Sequence, residues 1–511
     1  MSEETNHLSR RNFLRSMLTA SGAALLAACG GAAAPAAAPT AAPAAAAPTA
    51  APAAATVMPA ATAAPAAAAA TAMPAATAAP AAAAATAAPV AAAAGDVKEL
   101  TIIWAEWDPS NYLQELVNDY ATTSGVKVKV VQEPWGTFPD RFGTEMAGKG
   151  TSYDLVVGDS QWLGQGSTGG WYVDLTDKFN TELNGKNLSP PTVTAYAEYP
   201  KGSGKYWAYP TEGDADGWAY RKDLFEDPAE MTAFKAKYKR DLAVPKTWAE
   251  LHDIAEFFTR PDKNQYGVSV YTQKDYDALT MGFENVLFSY GADWGDYATY
   301  KVEGILNSKE GVAALDFYKS LYKFMPPGSG NVFWQESVDQ FSGGLVAMAM
   351  NFFAFFPGLV NEANNKYASK TGFFSNPAGP TGKRFAALGG QGMSIVAFTS
   401  PERQAASMEF LKWFGKDDTQ KKWAELGGYT CNSAVLSSPE FLENTPYNKA
   451  FAESMGFVKD FWAVPVYGEM MQSGQAELHK FIVEGEGTAQ GTLDNIAKTH
   501  EAILKKGGLL K

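Results

Sequence analysis

Apolar and polar residues exchange places along the chain with two different periods. Residues 100–104 form an apolar run of strand length. Residues 111–121 carry Tyr112, Leu116, Val117 and Tyr120 at helical spacing. Residues 126–131 alternate, with Lys127 and Lys129 set between valines, as a half-buried strand does. Helical spacing returns over residues 138–147, and residues 154–157 read again as a strand. This βαβαβ series predicts an α/β lobe with a mostly parallel sheet. A second series follows Glu212, with strands over residues 218–221, 268–271, 346–350 and 393–397. Thr247 and Glu250 have the spacing of a capping box, opening a helix that runs to about Phe258. Residues 307–324 read as a helix, and Ser400 with Pro401 reads as the cap and first position of another. The tail over residues 488–504 is amphipathic through Leu493, Ile496, Ala497, His500 and Leu504. The pattern predicts two α/β lobes, with the chain crossing between them more than once. Open α/β sheets bind ligands at the carboxyl ends of their strands, and two facing lobes make a cleft that a hinge can close.

The first residues follow neither period. Arg10 and Arg11, with Phe13 and Leu14, match a twin-arginine export pattern, and an apolar stretch over residues 17–28 is too short to span a bilayer. Leu26-Ala27-Ala28-Cys29 resembles a bacterial lipobox, which implies cleavage before Cys29 and lipidation of its sulfur. Residues 1–28 are therefore expected to be a lipoprotein signal. Residues 31–94 hold 42 Ala, 10 Pro, 7 Thr and no charge. Proline at this density blocks long helices and nothing bulky is present to form a core, so residues 29–94 are expected to be a disordered tether. Of 511 residues about 417 remain, enough for two lobes with buried cores. A lipid, a spacer and a globular body predict an extracytoplasmic protein held at a membrane by its lipid alone. The net charge of −13 argues against nucleic acid or an anionic membrane as the main partner. Four His and two Cys exclude a disulfide framework or a Cys/His metal centre.

Motifs for chemistry are scarce. Beyond the signal only His252, His479 and His500 remain, the first within a predicted helix and the last on the amphipathic tail. Cys431, among Gly427, Gly428, Tyr429 and Thr430, reads as a small packed residue. No nucleophile elbow, phosphate-binding loop or zincin helix is present. Gly164, Gly166 and Gly169 have dinucleotide-loop spacing, but the following Gly170-Trp-Tyr-Val-Asp-Leu is no helix start. Asp293-Trp-Gly-Asp296 lacks calcium-loop spacing and reads as a turn. No enzyme activity, cofactor or metal is expected. Aromatic residues beside planar polar ones are abundant instead, at Trp104, Glu106, Trp107 and Asp108, at Asp159, Gln161 and Trp162, and at Glu212, Asp214, Asp216 and Trp218. They recur at Asn351, Phe352, Phe353, Phe355 and Phe356, and at Trp462, Tyr467 and Glu469. A sugar offers an apolar C–H face to a flat ring and neighbouring hydroxyls to a carboxylate or carboxamide. Strand-end positions such as Trp107 fit that use better than the phenylalanines, most of which fit a core.

Leu388-Gly-Gly-Gln-Gly-Met-Ser-Ile-Val-Ala-Phe-Thr-Ser-Pro-Glu-Arg-Gln-Ala-Ala-Ser-Met-Glu-Phe-Leu-Lys-Trp-Phe414 and Gln420-Lys-Lys-Trp-Ala-Glu-Leu-Gly-Gly-Tyr429 resemble the family 1 extracellular solute-binding proteins. Tyr209-Pro-Thr-Glu212, Ala219-Tyr-Arg-Lys-Asp-Leu-Phe225 and Pro245-Lys-Thr-Trp-Ala-Glu-Leu251 agree in order and spacing. The resemblance covers roughly residues 98–500. It implies a two-lobe, type II periplasmic-binding-protein fold of maltose-binding-protein-like architecture. It also implies the substrate-binding role in an ABC importer, with permease subunits as partners and a monomeric state. Residues 97–211 with 388–431 would form lobe 1, and residues 213–386 with 433–511 lobe 2. By position, the resemblance implies ligand contacts at Trp107, Asp108, Gln161, Trp162, Glu212, Asp214, Asn351, Phe353, Gln391, Trp462 and Tyr467, with a small neutral sugar or polyol as ligand. Thr430-Cys431-Asn432 departs from the proline-rich turn that relatives often carry there. Two alternatives stay open. One is a hydrolase using Glu212 and Asp214 as paired carboxylates. The other is a non-sugar solute on the same fold, with anions disfavoured because few Arg fall in the strand-end loops.

Overall fold

The structure, a computed structural model, describes residues 96–511. The export signal, Cys29 and the tether lie outside the described residues. The described residues fall in one unit, Ala72–Lys511. They build two sheets, each flanked by helices. The strands in chain order are β1 (Glu99–Ala105), β2 (Lys127–Glu133), β3 (Leu155–Asp159), β4 (Tyr209–Gly213), β5 (Asp216–Arg221), β6 (Tyr266–Ser269), β7 (Val346–Phe352), β8 (Thr371–Ser375), β9 (Ala386–Ala387), β10 (Gly390–Ile395) and β11 (Val458–Lys459). The first sheet has the order β2-β1-β3-β10-β4 and the second β6-β7-β5-β8, while β9 and β11 pair apart from both. In each sheet one strand runs against the rest, β10 in the first and β5 in the second. The sheets are therefore mostly parallel in strand direction, as the βαβαβ pattern predicts. Each odd strand is the one the chain enters on arriving from the other sheet.

The helices follow from their sequences. Helix Phe138–Ala147 matches its predicted span and buries Phe138, Phe142 and Met146 on one face. Helix Asp108–Ser124 ends at Gly125, whose φ of +73° suits glycine and lets its N–H bond the Ala121 carbonyl. The Thr247–Glu250 capping box is formed at the head of helix Trp248–Phe258. Ser400 caps helix Pro401–Phe414 through the Arg403 N–H.

Two strands sit differently from their predicted spans. The strand expected over residues 268–271 pairs at Tyr266–Ser269, and the one expected over 393–397 pairs at Gly390–Ile395. Glycine hides the start of the second, since Gly390 and Gly392 contribute nothing to an alternation. Gly390 is required there by crowding. A Cβ would collide with the Tyr196 hydroxyl and the Glu212 carbonyl.

Two apolar cores result. Leu100, Ile102, Val156 and Met393 belong to the core of the first sheet, with Phe410 and Phe414 packed on them. Trp218, Val268 and Met348 belong to that of the second, with Leu251, Phe283 and Leu493. Only two residues, Asp214 and Ala215, separate β4 in one sheet from β5 in the other. No helix among the described residues is long and apolar enough to cross a membrane.

Candidate functional site

The carboxyl end of the first sheet carries a row of planar polar side chains. Gln391 on β10 stands opposite Asp159 on β3 and opposite Glu212 on β4. Residues opposite one another on a ladder share a face of the sheet, so the three groups lie side by side. The Gln391 side-chain oxygen accepts the Trp104 indole N–H. Just beyond β1, Trp107 caps helix Asp108–Ser124, and its main chain exchanges hydrogen bonds with the Ser110 hydroxyl. Its ring meets Trp104 edge-on at 5.7 Å and Trp135 at 5.5 Å. Its indole N–H is buried without a hydrogen-bond partner.

The second sheet supplies the facing wall. Phe355, in the turn after β7, lies 6.3 Å from the Trp107 ring and stacks on Trp334 at 4.6 Å. Tyr276, in the loop between β6 and helix Ala278–Tyr290, donates its hydroxyl to Asp159 Oδ2 and sets its ring 5.9 Å from Trp135. These contacts join the two lobes across the gap. Trp107, Trp135, Tyr276, Trp334 and Phe355 are all half-buried, in contrast to the fully buried core rings.

The electrostatics are unusual in sign. Burial holds the Asp159, Glu212, Asp214 and Asp277 carboxyls above the ordinary carboxylate range. Asp214 and Asp159 push Glu212 up further, and Asp159 does the same to Asp277. Both Glu212 carboxylate oxygens are buried with no partner. Asp214 accepts the Ala215 N–H at 2.8 Å and the Ala354 N–H at 3.3 Å, which ties the crossing to the turn after β7. Asp216 accepts from Asn285 at 2.6 Å and is pushed up to about 8 by burial. On helix Ala278–Tyr290, Glu284 accepts the Trp294 indole N–H at 2.8 Å and is also raised by burial.

The predicted site residues divide. Trp107, Gln161, Glu212, Asp214 and Gln391 gather at the cleft, with the Gln161 amide donating to Asp159 at 3.3 Å. Asp108 is exposed in the first turn of its helix, where a carboxylate suits the helix dipole. The other five pack on or within a core. Trp162 is half-buried like the cleft rings, but it stacks on Phe142 at 5.4 Å against the flank of the first core. Asn351 is consumed internally, accepting the Tyr271 hydroxyl at 2.6 Å and donating to the Trp334 carbonyl at 2.9 Å. Phe353 is fully buried against Phe356 and Phe451, and its neighbour Phe355 takes the cleft position. Trp462 is fully buried behind Tyr297 and Tyr300. Those two tyrosines line a flanking cavity of about 190 Å³ with Tyr199, Lys201 and Asp460. Tyr467 is buried at the head of its helix, stacked on Phe461 at 4.6 Å, with an unpartnered hydroxyl.

Sequence reasoning passed over Trp135, Tyr276, Asp277 and Asp460 and left Phe355 among the core candidates. Trp135 stands two residues beyond β2, so the strand-end rule that picked Trp107 also picks it.

Comparison with known proteins gives a consistent result. The family model described as bacterial extracellular solute-binding protein matches residues 104–421. A mannitol-binding protein of Pseudomonas aeruginosa is 25% identical over 259 residues, which are 50% of this chain and 54% of that protein. The chain thus spans about half the length of that relative. A probable ABC transporter-binding protein of Deinococcus radiodurans is 25% identical over 342 residues, 64% of this chain and 74% of that protein. Among solved structures, an ABC transporter solute-binding protein from Agrobacterium radiobacter in complex with ribitol aligns with a TM-score of 0.67 at 25% identity, covering 81% of this chain and 100% of that one. The maltose-bound MalE3 of T. maritima aligns with a TM-score of 0.67 at 25% identity, covering 80% and 100%.

Proposed function

Because the chain belongs to the bacterial extracellular solute-binding protein family, we propose that it captures a small carbohydrate or polyol between its lobes and delivers it to the permease of an ABC importer. The observation that carries this reading is the meeting of two walls across the cleft. Half-buried rings from both lobes, Trp107 and Trp135 facing Tyr276 and Phe355, stand beside the Asp159–Gln391–Glu212 row. Rings of that kind cover the C–H face of a sugar, and planar polar groups take its hydroxyls. The ribitol, mannitol and maltose named for its relatives belong to the same chemical class.

The mechanism is capture without covalent chemistry. The ligand meets one wall in the open form, and rotation about the crossings brings the second wall onto it. The ligand shifts an existing open–closed equilibrium by its differential affinity for the two forms. The permease then reads the closed outline of both lobes together. The family is one of binding proteins acting outside the cytoplasm, and we assign the chain no reaction. In this reading lobe 1 comprises residues 97–213 with 388–431, and lobe 2 residues 216–386 with 433–511, in place of the expected boundary at residues 211–213. We move the first crossing to Asp214 and Ala215, because β4 pairs with β10 as far as Gly213. We assign lipidation to Cys29 and a tethering role to residues 29–94, which keep the working body near its permease.

A thermal-shift screen of the purified chain tests the reading, using mono-, di- and trisaccharides, polyols, amino acids and phosphate esters. A ligand at about 100 times its Kd adds about 2.7 kcal/mol, a rise of a few degrees. A response confined to sugars or polyols is expected. A response only to amino acids or phosphate esters overturns the ligand class and leaves the fold.

A further inference from the structure

The interlobe region gathers seven carboxylates, and the nearest cations, Lys201 by Asp460 and Lys459 by Glu284, act on two of them without a salt bridge and on Glu212 not at all. Asp159 and Glu212 stand at the carboxyl end of the first sheet, Asp214 lies in the crossing and Asp216 just after it, and Asp277, Glu284 and Asp460 come from the second lobe. Among the described residues none of the seven lies within salt-bridge distance of a Lys or Arg. Carboxylates elsewhere pair readily, as Asp154 does with Arg403, Asp223 with Arg221 and Glu230 with Arg260. Like charges brought together out of water repel strongly, so such a group either keeps its protons or awaits a positive partner.

Glu212 singles itself out within this set. It is 0% exposed, and both of its oxygens are without a partner. It shares a sheet face with Asp159, the residue that reaches Tyr276 in the other lobe. A neutral hydroxyl donates one hydrogen, whereas an ammonium donates three and carries the missing charge. The rings beside the row suit the same guest, because an aromatic face attracts a cation. A metal ion is a poor alternative. Among the described residues no three acidic, His or Cys side chains converge closely enough to hold one.

We propose that the solute taken by this cleft is an amine-bearing polyol or amino sugar, and that Glu212 reads its ammonium group. This rests on the carbohydrate-capture reading and narrows it. The amine displaces the proton that burial, Asp214 and Asp159 hold on Glu212, so binding releases a proton. The other titratable groups facing Glu212 are Tyr196, Tyr429 and Cys431, all raised by burial and therefore silent near neutral pH.

The test is isothermal titration calorimetry on the full chain at pH 7.5 with matched probes, D-glucamine against D-glucitol and D-glucosamine against D-glucose. Buffers of different ionisation heat report the protons released. The amine of at least one pair should bind about tenfold more tightly than its hydroxyl partner, the difference between a charge-assisted and a neutral hydrogen bond. With D-glucamine, fully protonated at this pH, the titration should release close to one proton; D-glucosamine, whose amine is partly neutral at pH 7.5, should release about half as much. Glu212→Gln keeps the shape and removes the charge, and should bring the ratio near one. Equal affinity within each pair that binds, or a ratio unchanged in Glu212→Gln, overturns the proposal and leaves carbohydrate capture standing. Silence from all four probes, with a response to an amino acid or phosphate ester, overturns both.

Discussion

Strand β3 carries an aspartate at each end, and the fold treats the two oppositely. Asp154, just before the strand, has a side chain only 1% exposed and is gripped on both oxygens by Arg403 at 2.6 Å, with the Thr101 N–H at 2.7 Å. Asp159, the last residue, has no cation and takes its hydrogen bonds from Tyr276 and Gln161. Five residues apart on one strand, the first acid fixes helix Pro401–Phe414 to the sheet, and the second reaches a residue that moves with the other lobe. The amino end of the sheet is locked and the carboxyl end is left to respond. Acids without a cation are concentrated where two walls meet, and the acid at the far end is paired.

Breaking the locked end should have the largest effect. Arg403→Ala leaves Asp154 buried without its cation and should cost about 3 kcal/mol, at the low end for buried pairs because the arginine is partly exposed. Thermal unfolding should show a melting temperature lower by several degrees, with ligand affinity little changed. A melting temperature within a degree of the parent would erase the contrast between the two ends.

Trp107→Ala acts at the responsive end. It should weaken ligand binding roughly 30-fold, about 2 kcal/mol, while the unliganded protein melts nearly as before. The reverse outcome, intact affinity with a large loss of stability, would make Trp107 a core residue.

Titration sharpens the comparison with a smaller effect. His500 is buried between the last two helices, bonded to the Met470 carbonyl, and burial lowers it to about 4. Its folded value lies below its unfolded one, so the unfolded chain binds the extra proton first. Stability therefore falls as pH drops from about 6.5 toward 4, by about 1 kcal/mol at pH 5.5. Asp216 has the opposite sign. Its folded value is raised to about 8, so its stability is complete below about pH 4 and declines as pH rises toward 8. Melting curves from pH 4 to pH 8.5 should fall toward both ends, and Asp216→Asn should make the alkaline limb shallower without changing the acid limb. An unaltered alkaline limb in that variant would assign the bend to another carboxyl.

Tyr276→Phe should do least. Losing one hydroxyl bond across the cleft is worth about 1 kcal/mol, about a fivefold shift toward the open form. Small-angle scattering of the unliganded protein should show a larger radius of gyration, and an identical profile would deny Tyr276 its part in closure.

Legibility in the sequence followed the physics of each element. Helix Phe138–Ala147 showed its full span because one face is buried and the other wet. Helix Ala278–Tyr290 passed unnoticed because all but its last residue is buried, which leaves no polar stripe to mark a period. Strand β4 hid for a related reason. All five of its residues are buried, and Pro210 and Gly213 interrupt any alternation. In the cleft, Trp107, Gln161, Glu212 and Gln391 followed from strand ends and family position. Tyr276 and Asp277 sit in a polar loop whose direction is set by the far end of a helix with no sequence signature. Phe353 and Phe355 differ only in which way a single turn points them, and the surrounding core decides that.

The place of β10 has a consequence for the chain as it is being made. It lies between β3 and β4, yet it is synthesised about 230 residues after β3. At about 5–20 residues per second a ribosome needs roughly 10–50 s to cover that distance. Through that interval β3 and β4 each present a bare edge, and the row that includes Asp159 and Glu212 is split in two. The second lobe, whose strands β5 to β8 are contiguous in the chain, completes its sheet before the first does. A ribosome stalled before Gly390 thus holds a complete second sheet that still lacks the helices Tyr467–Ile482 and Ala489–Lys506, and a first sheet without the strand that joins β3 to β4.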